Sequence, residues 1–331
     1  MSSMSRGVLC TVSVLALVAA LPASAAGTAY KLVKTIDLPG DKGGHGDWTT
    51  FNPETGMVWL SQSPAHNVVV IDTQSNAIAH VIPDIANSNG IDFAGPYAFA
   101  ADNDSNTIVV LDQKTFEKVA TLTPEGKGPD TVNYLSKEGR IYTSSNSDDA
   151  TVFSATKPFK VEAKMRLKPD PAKDGPDIAV YVAAKDKIYQ PNDNMIDVID
   201  AKTGKITAAW DVGLKGSAKA AAYDAKTNHL IVGSGEKKML VLDADSGKVV
   251  ATVPVPGAVD ATVVDETARR AYVGDKSGVV DVIDLDSNKI VDSLPSEKNM
   301  HTLAVDTKTH AVYVYRNESN KVDVFEMNKA S

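Results

Sequence analysis

Seven residues that could do chemistry stand in the same local context along the chain. Asp47, Asn89, Asp130, Asp177, Lys219, Asp260 and His301 each head a short apolar run, and His45 lies two residues before the first of them. Gathered in one place, carboxylates and imidazoles are ligands for a divalent cation: oxygens suit Ca²⁺, Mg²⁺ or Mn²⁺, and imidazole suits transition metals. Such an ion could activate water for hydrolysis. Without a metal, clustered carboxylates raise one another's pKa, so that one of them beside a histidine becomes a general acid or base.

A structural role competes with this chemistry. An Asp that follows Gly-Pro, as in Gly128-Pro-Asp130 and Gly175-Pro-Asp177, commonly ties down a turn by accepting backbone N–H bonds. A turn role would use one residue type throughout, so the functional expectation rests most on the departures, His45, Lys219 and His301. His66, His80, His229 and His310 are expected to be solvated surface histidines. The mature sequence carries no Gly-rich phosphate loop, Cys/His zinc spacing, Gly-x-Ser-x-Gly elbow or basic-aromatic stripe.

The elements that must position these residues are repeats. An apolar strand closing on Asp recurs as Val68 to Asp72, Ile108 to Asp112, Ile196 to Asp200, Leu240 to Asp243 and Val280 to Asp284, with Ser154 and Glu326 in the Asp place of two worn copies. Successive anchors are 40, 42, 46, 43, 41 and 42 residues apart. A period in the low forties, built of short alternating strands and Gly/Asn/Asp turns, is the size of a four-stranded propeller blade. The anchor aspartates themselves are expected to stabilise turns.

Seven anchors predict an all-β, seven-bladed β-propeller over residues 27–331. In the third repeat the strands are placed at 131–135, 140–144 and 150–153, with the outer strand after the anchor. Outer strands open on Lys118, Lys248 and Lys289, as exposed edges often do. The seventh repeat has no outer strand after its anchor. Tyr30 to Leu38 has the outer-strand pattern and no repeat of its own, so it is expected to complete the last blade.

Closure has a consequence for the chemistry. The heads of the inner strands form a ring at the mouth of the central channel, and closing it brings His301 beside Asp47. His45, Asp47, Asp260 and His301 are thereby predicted to share one sector as candidate metal ligands, with Asn89, Asp130, Asp177 and Lys219 as ligand contacts around the mouth. Asp102, Asn103, Asn146, Asn192, Asp193, Asp275, Arg316 and Asn317, at the exits of second strands, border the same mouth and read first as turn formers.

The first 26 residues read as a secretory signal peptide: Arg6, an apolar run from Gly7 to Leu21, and small residues up to a cleavage point near Ala25 or Ala26. The only cysteine, Cys10, lies within that segment, so disulfide and thiol chemistry are not expected. No later stretch approaches the roughly 20 apolar residues of a membrane helix. The periplasm is the expected location, with extracellular release as the alternative. The formal net charge of −8 becomes more negative once Arg6 is removed, and no basic block offsets it, which disfavours nucleic acid as a partner.

The segment Asn103 to Leu122, together with Tyr272-Val-Gly-Asp275 and Tyr313-Val-Tyr-Arg316, resembles the YVTN repeat of YncE-like bacterial propellers. The resemblance spans nearly the whole mature chain but is carried by strand and turn residues. It implies a propeller and leaves the activity open among ligand binding, lactonase- or lyase-type chemistry and single-stranded DNA binding. Quinone-stacking propellers are similar in shape, yet the three tryptophans, Trp48, Trp59 and Trp210, do not repeat from blade to blade. The favoured expectation is a monomeric binding or scaffold protein that takes a small molecule, peptide or protein at the channel mouth. A metal-dependent hydrolase or lyase comes second and single-stranded DNA binding third.

Overall fold

A computed structural model describes residues 29–40, 44, 46–169 and 172–328. The signal-like segment and His45 lie outside the described residues. Strands are numbered β1 to β28 in chain order and form seven four-stranded antiparallel sheets. The inner strands of blades one to seven are β2 (Thr49–Asn52), β6 (Ser88–Ala94), β10 (Pro129–Leu135), β14 (Val180–Val182), β18 (Ala218–Asp224), β22 (Val259–Asp265) and β26 (Leu303–Asp306). In blades one to six the next three strands of the chain complete the sheet.

Blade seven is completed from the other end of the chain. β1 (Tyr30–Asp37) pairs antiparallel with β28 (Lys321–Met327), from Tyr30 opposite Met327 to Asp37 opposite Lys321. This is the closure the unassigned outer-strand pattern predicts. In blade three the strands following β10 are Arg140–Ser145, Asp149–Ser154 and Val161–Arg166, within two residues of the sequence-based placement.

Burial follows from blades standing face to face. Third strands have both faces covered by neighbouring blades, so Val68, Val69, Val70 and Ile71 are all fully buried despite pointing alternately to opposite sides. Outer strands alternate between exposed and half-buried residues, as in Lys205–Asp211, and Lys118, Lys248 and Lys289 are exposed. The core is divided into seven apolar clusters, one between each pair of adjacent blades. Wedges of core around a ring leave the centre open, and that opening is the channel.

The anchor aspartates act locally. Asp72, Asp200, Asp243 and Asp284 each accept the backbone N–H of the residue three positions on, at 2.7, 2.7, 2.8 and 2.9 Å, along with that residue's hydroxyl. Asp112 accepts from Lys114 and Thr115 backbone nitrogens, and Ser154, in a worn copy, accepts from Lys160 N at 3.0 Å. These bonds hold the carboxyls of all five anchor aspartates below the ordinary carboxylate range.

Candidate functional site

Four of the seven inner-strand heads are turned into the channel by a break in strand pairing. In blade two, Ser88 pairs with Asp102 and Gly90 with Ala101, which leaves Asn89 as the extra residue of a bulge. The same irregularity falls at Asp130, Lys219 and Asp260. Asp47, Asp177 and His301 precede the regular strands of their blades. A bulge re-aims a side chain that would otherwise face the neighbouring sheet.

The result is a cavity of about 240 Å³ at the channel mouth, lined by Asp47, Asn89, Asp130, Asp177, Lys219, Asp260 and His301, one from every blade. Asn146, Asp174 and Lys276 also line it. Asn146 belongs to the second-strand exits that the sequence places at the mouth. Asp174 and Lys276 were not anticipated; Lys276 directly follows the exit residue Asp275, which was the available signal.

Polar contacts run from blade to blade around the ring. Asn89 Nδ2 donates to Asp130 Oδ1 at 3.0 Å, Lys219 Nζ lies 3.0 Å from Asp177 Oδ2, and His301 Nδ1 lies 2.7 Å from Asp260 Oδ2 and 3.8 Å from Asp47 Oδ1. Lys276 Nζ reaches the same Asp260 oxygen at 3.0 Å. Asp47, Asp260 and His301 thus meet in one sector, while His45, the fourth candidate there, lies outside the described residues. Among the described residues, no group of three or more His, Cys, Asp or Glu side chains is arranged to hold a metal ion.

The electrostatics differ around the ring. Burial pushes the Asp130 carboxyl up to about 8, helped by the charges of Asp177 and Asp47 and opposed by the Asn89 hydrogen bond and Lys219. Burial also raises Asp177, against its Lys219 partner, and the Asp177 charge raises the Lys219 ammonium. Asp260 goes the other way: burial disfavours its charge, but His301 and Lys276 together hold it below the ordinary value. At neutral pH the mouth therefore offers a protonated carboxyl at Asp130, and the Asp260 carboxylate against the His301 imidazole, groups able to bind polar ligands or move a proton.

The turn role divides between the two Gly-Pro-Asp sites. Asp177 accepts the backbone N–H of Ile178 at 2.9 Å, as a turn residue does. Asp130 accepts only from Asn89 among the described residues. At the second-strand exits, Asp102 and Asp275 are buried and cap turns, with Asp102 accepting from Ala86, Asn87 and Ser105 and Asp275 from Ser277. Arg316 is occupied by Glu297 and Asp323.

One histidine departs from expectation. His310, read as solvated, has Nδ1 2.6 Å from Oδ2 of the fully buried Asp265 on the neighbouring blade, 45 residues away in sequence. His80 stacks on Phe116 with ring centroids 4.4 Å apart. No family model matches the chain, and no curated protein matches it.

Proposed function

We propose that the protein is a periplasmic, YncE-like binding propeller that receives a small molecule, peptide or protein at the mouth of its central channel. One observation carries this reading: all seven blades contribute a polar inner-strand head to a single cavity. Turn formation alone would not require those side chains to converge or to pair across blades. Export is supported by the leader pattern of residues 1–26, and the YncE-like assignment by the YVTN-like phrases. The reading takes the protein as a monomer, because the outer-strand edges of the blades are short and several open on exposed lysines, which discourage pairing with another chain.

Binding is favoured over turnover because contacts across the ring already hold its polar side chains in place, Lys219 on Asp177 and both Lys276 and His301 on Asp260. A pre-organised ring of this kind orients a polar ligand without rearrangement. The direct test is thermal-shift screening of the mature protein against amines, carboxylic acids, sugars and short peptides, with Asp177→Asn in parallel. At least one class is expected to raise the melting temperature of the wild type and not of the variant. Equal shifts in both proteins, or a hydrogen-exchange footprint on the outer strands, would remove the mouth as the site.

Metal-assisted hydrolysis is the second reading, resting on the contacts of His301 with Asp260 and Asp47. Elemental analysis decides it. Stoichiometric divalent metal that is lost in both His301→Ala and Asp260→Ala carries this reading, and a metal-free wild type that turns over no lactone or ester ends it.

A further inference from the structure

The polar cavity is only the upper part of the channel. A second chamber of about 460 Å³ adjoins it, a size typical of small-molecule sites. The two adjoin along the inner strands: Ile178 lines both, and Trp48, Ala261 and Thr302 of the chamber immediately follow Asp47, Asp260 and His301 of the mouth.

The chamber's wall is made by five of the seven blades. Three positions beyond the ring, blades four to seven carry Val180, Ala222, Val263 and Ala304, and blade one carries Thr50. Blades two and three carry Asp92 and Asn133 there, and neither lines the chamber. The Asp92 carboxylate accepts backbone N–H bonds from Tyr134 at 2.6 Å and Phe93 at 2.8 Å, and Asn133 donates to the Ala179 carbonyl at 3.2 Å. Asp92 and Asn133 are therefore tied to backbone, Thr50 is the polar residue of this level that lines the chamber, and the rest of its wall here is apolar.

The mouth above it is electronegative. Asp47, Asp130, Asp174, Asp177 and Asp260 face two ammonium groups, Lys219 and Lys276, and the imidazole of His301. Asp130 has no cationic side chain within 4.0 Å among the described residues, and the buried Oδ1 of its neighbour Asn89 accepts no hydrogen bond. A cationic N–H donor placed against Asp130 favours the ionised form of that carboxyl, so an ammonium can take up both the Asn89 oxygen and Asp130 as Asp130 gives up its proton, while the chamber calls for an apolar body at the other end.

We propose that the channel binds an amphipathic amine, with its ammonium group at Asp130 and Asn89 and its hydrocarbon tail against Val180, Ala222, Val263 and Ala304. This rests on the reading of the mouth as a binding site and names the ligand class for it. Displacing water from the chamber with hydrocarbon supplies most of the affinity, and the charged head sets which end enters.

The test is calorimetric titration of the mature protein with n-alkylamines from butylamine to octylamine, with octanoate and octanol as head-group controls. Affinity is expected to rise roughly fourfold per methylene as the tail enters the chamber. Octanoate is expected to bind at least tenfold more weakly than octylamine, and Asp130→Asn to lose tenfold or more for octylamine at pH 9, where the wild-type carboxyl is ionised. Val263→Phe, which fills the chamber, is expected to flatten the dependence on chain length; Ala222→Leu makes the same test if that variant does not fold. Binding that is lost in Asp130→Asn yet is independent of chain length overturns the tail and leaves the mouth as a site. Octanoate binding as tightly as octylamine overturns the ammonium head. If no amine binds at 10 mM to a protein that passes the thermal-shift test above, the ligand class is wrong although the mouth is right.

Discussion

Asp130 is protonated at neutral pH because burial and the nearby charges of Asp177 and Asp47 outweigh the help it receives from Asn89 and Lys219. Its carboxyl is pushed up to about 8, against roughly 3.9 in an unfolded chain. A raised pKa contributes stability that is full below about pH 4 and is lost as pH rises through about 8. Asp130→Asn, neutral throughout, is expected to melt with the wild type at pH 4 and above it at pH 9, as read by scanning calorimetry. A gap of the same size at both pH values would mean that Asp130 does not titrate in this range. Asp92 and Asp197 are raised by burial to about 6 and about 7 and weaken the fold in the same direction over pH 4 to 7. The anchor aspartates oppose this on the acid side. Their pKa values are lowered, so the stability they contribute is present above about pH 4 and is lost below it. A turn variant such as Asp200→Ala is therefore expected to shrink the difference in melting temperature between pH 6 and pH 2.5.

At the scale of the strand, the bulges at Asn89, Asp130, Lys219 and Asp260 do what propensity cannot. They place a polar residue in the channel while the residues on either side remain in the interblade core. Blades two and three approach so closely here that a Cβ on Gly90 would lie 2.4 Å from the Asp130 carbonyl oxygen and 2.7 Å from Val132 N. Neither backbone atom can move without shifting β10. Gly90→Ala is therefore expected to cost about 1–3 kcal/mol in urea unfolding, the usual range for overpacking. It is also expected to change the Asp130 titration seen by NMR, because the strain falls on the segment that holds the Asn89–Asp130 pair. A variant with wild-type stability and wild-type titration would show that the two blades are not in contact at this point.

Across the whole molecule, β1 decides whether there is a ring or an open array. Tyr30 is buried between the last two blades with its hydroxyl 2.7 Å from that of Tyr272, and Ile36 and Leu38 enter the cluster between blades seven and one. Tyr30→Ala is expected to cost about 3–5 kcal/mol, the scale for truncating a buried aromatic side chain, and to lower the midpoint of a single cooperative transition. Two separated transitions would mean that the blades unfold independently of closure. The repeat, the number of blades, the displaced outer strand and the turn role of the anchor aspartates were all legible in the sequence, because they rest on period-two alternation and on hydrogen bonds spanning three residues or fewer. The ring of channel-facing residues was legible as a list of positions, with Asp47, Asp260 and His301 already grouped in one sector by the closure. Which of them pair depends on contacts across blades, such as Asn89 with Asp130 and Lys219 with Asp177, about one repeat apart. The same distance hid the bond between His310 and the buried Asp265, and it kept Asp174 and Lys276 out of the expected site. Alternation and turn chemistry are local, so the sequence by itself determined the blades. Desolvation and charge are summed over every neighbour in space, so only the tertiary structure decided which carboxyl keeps its proton and where the channel turns from polar to apolar.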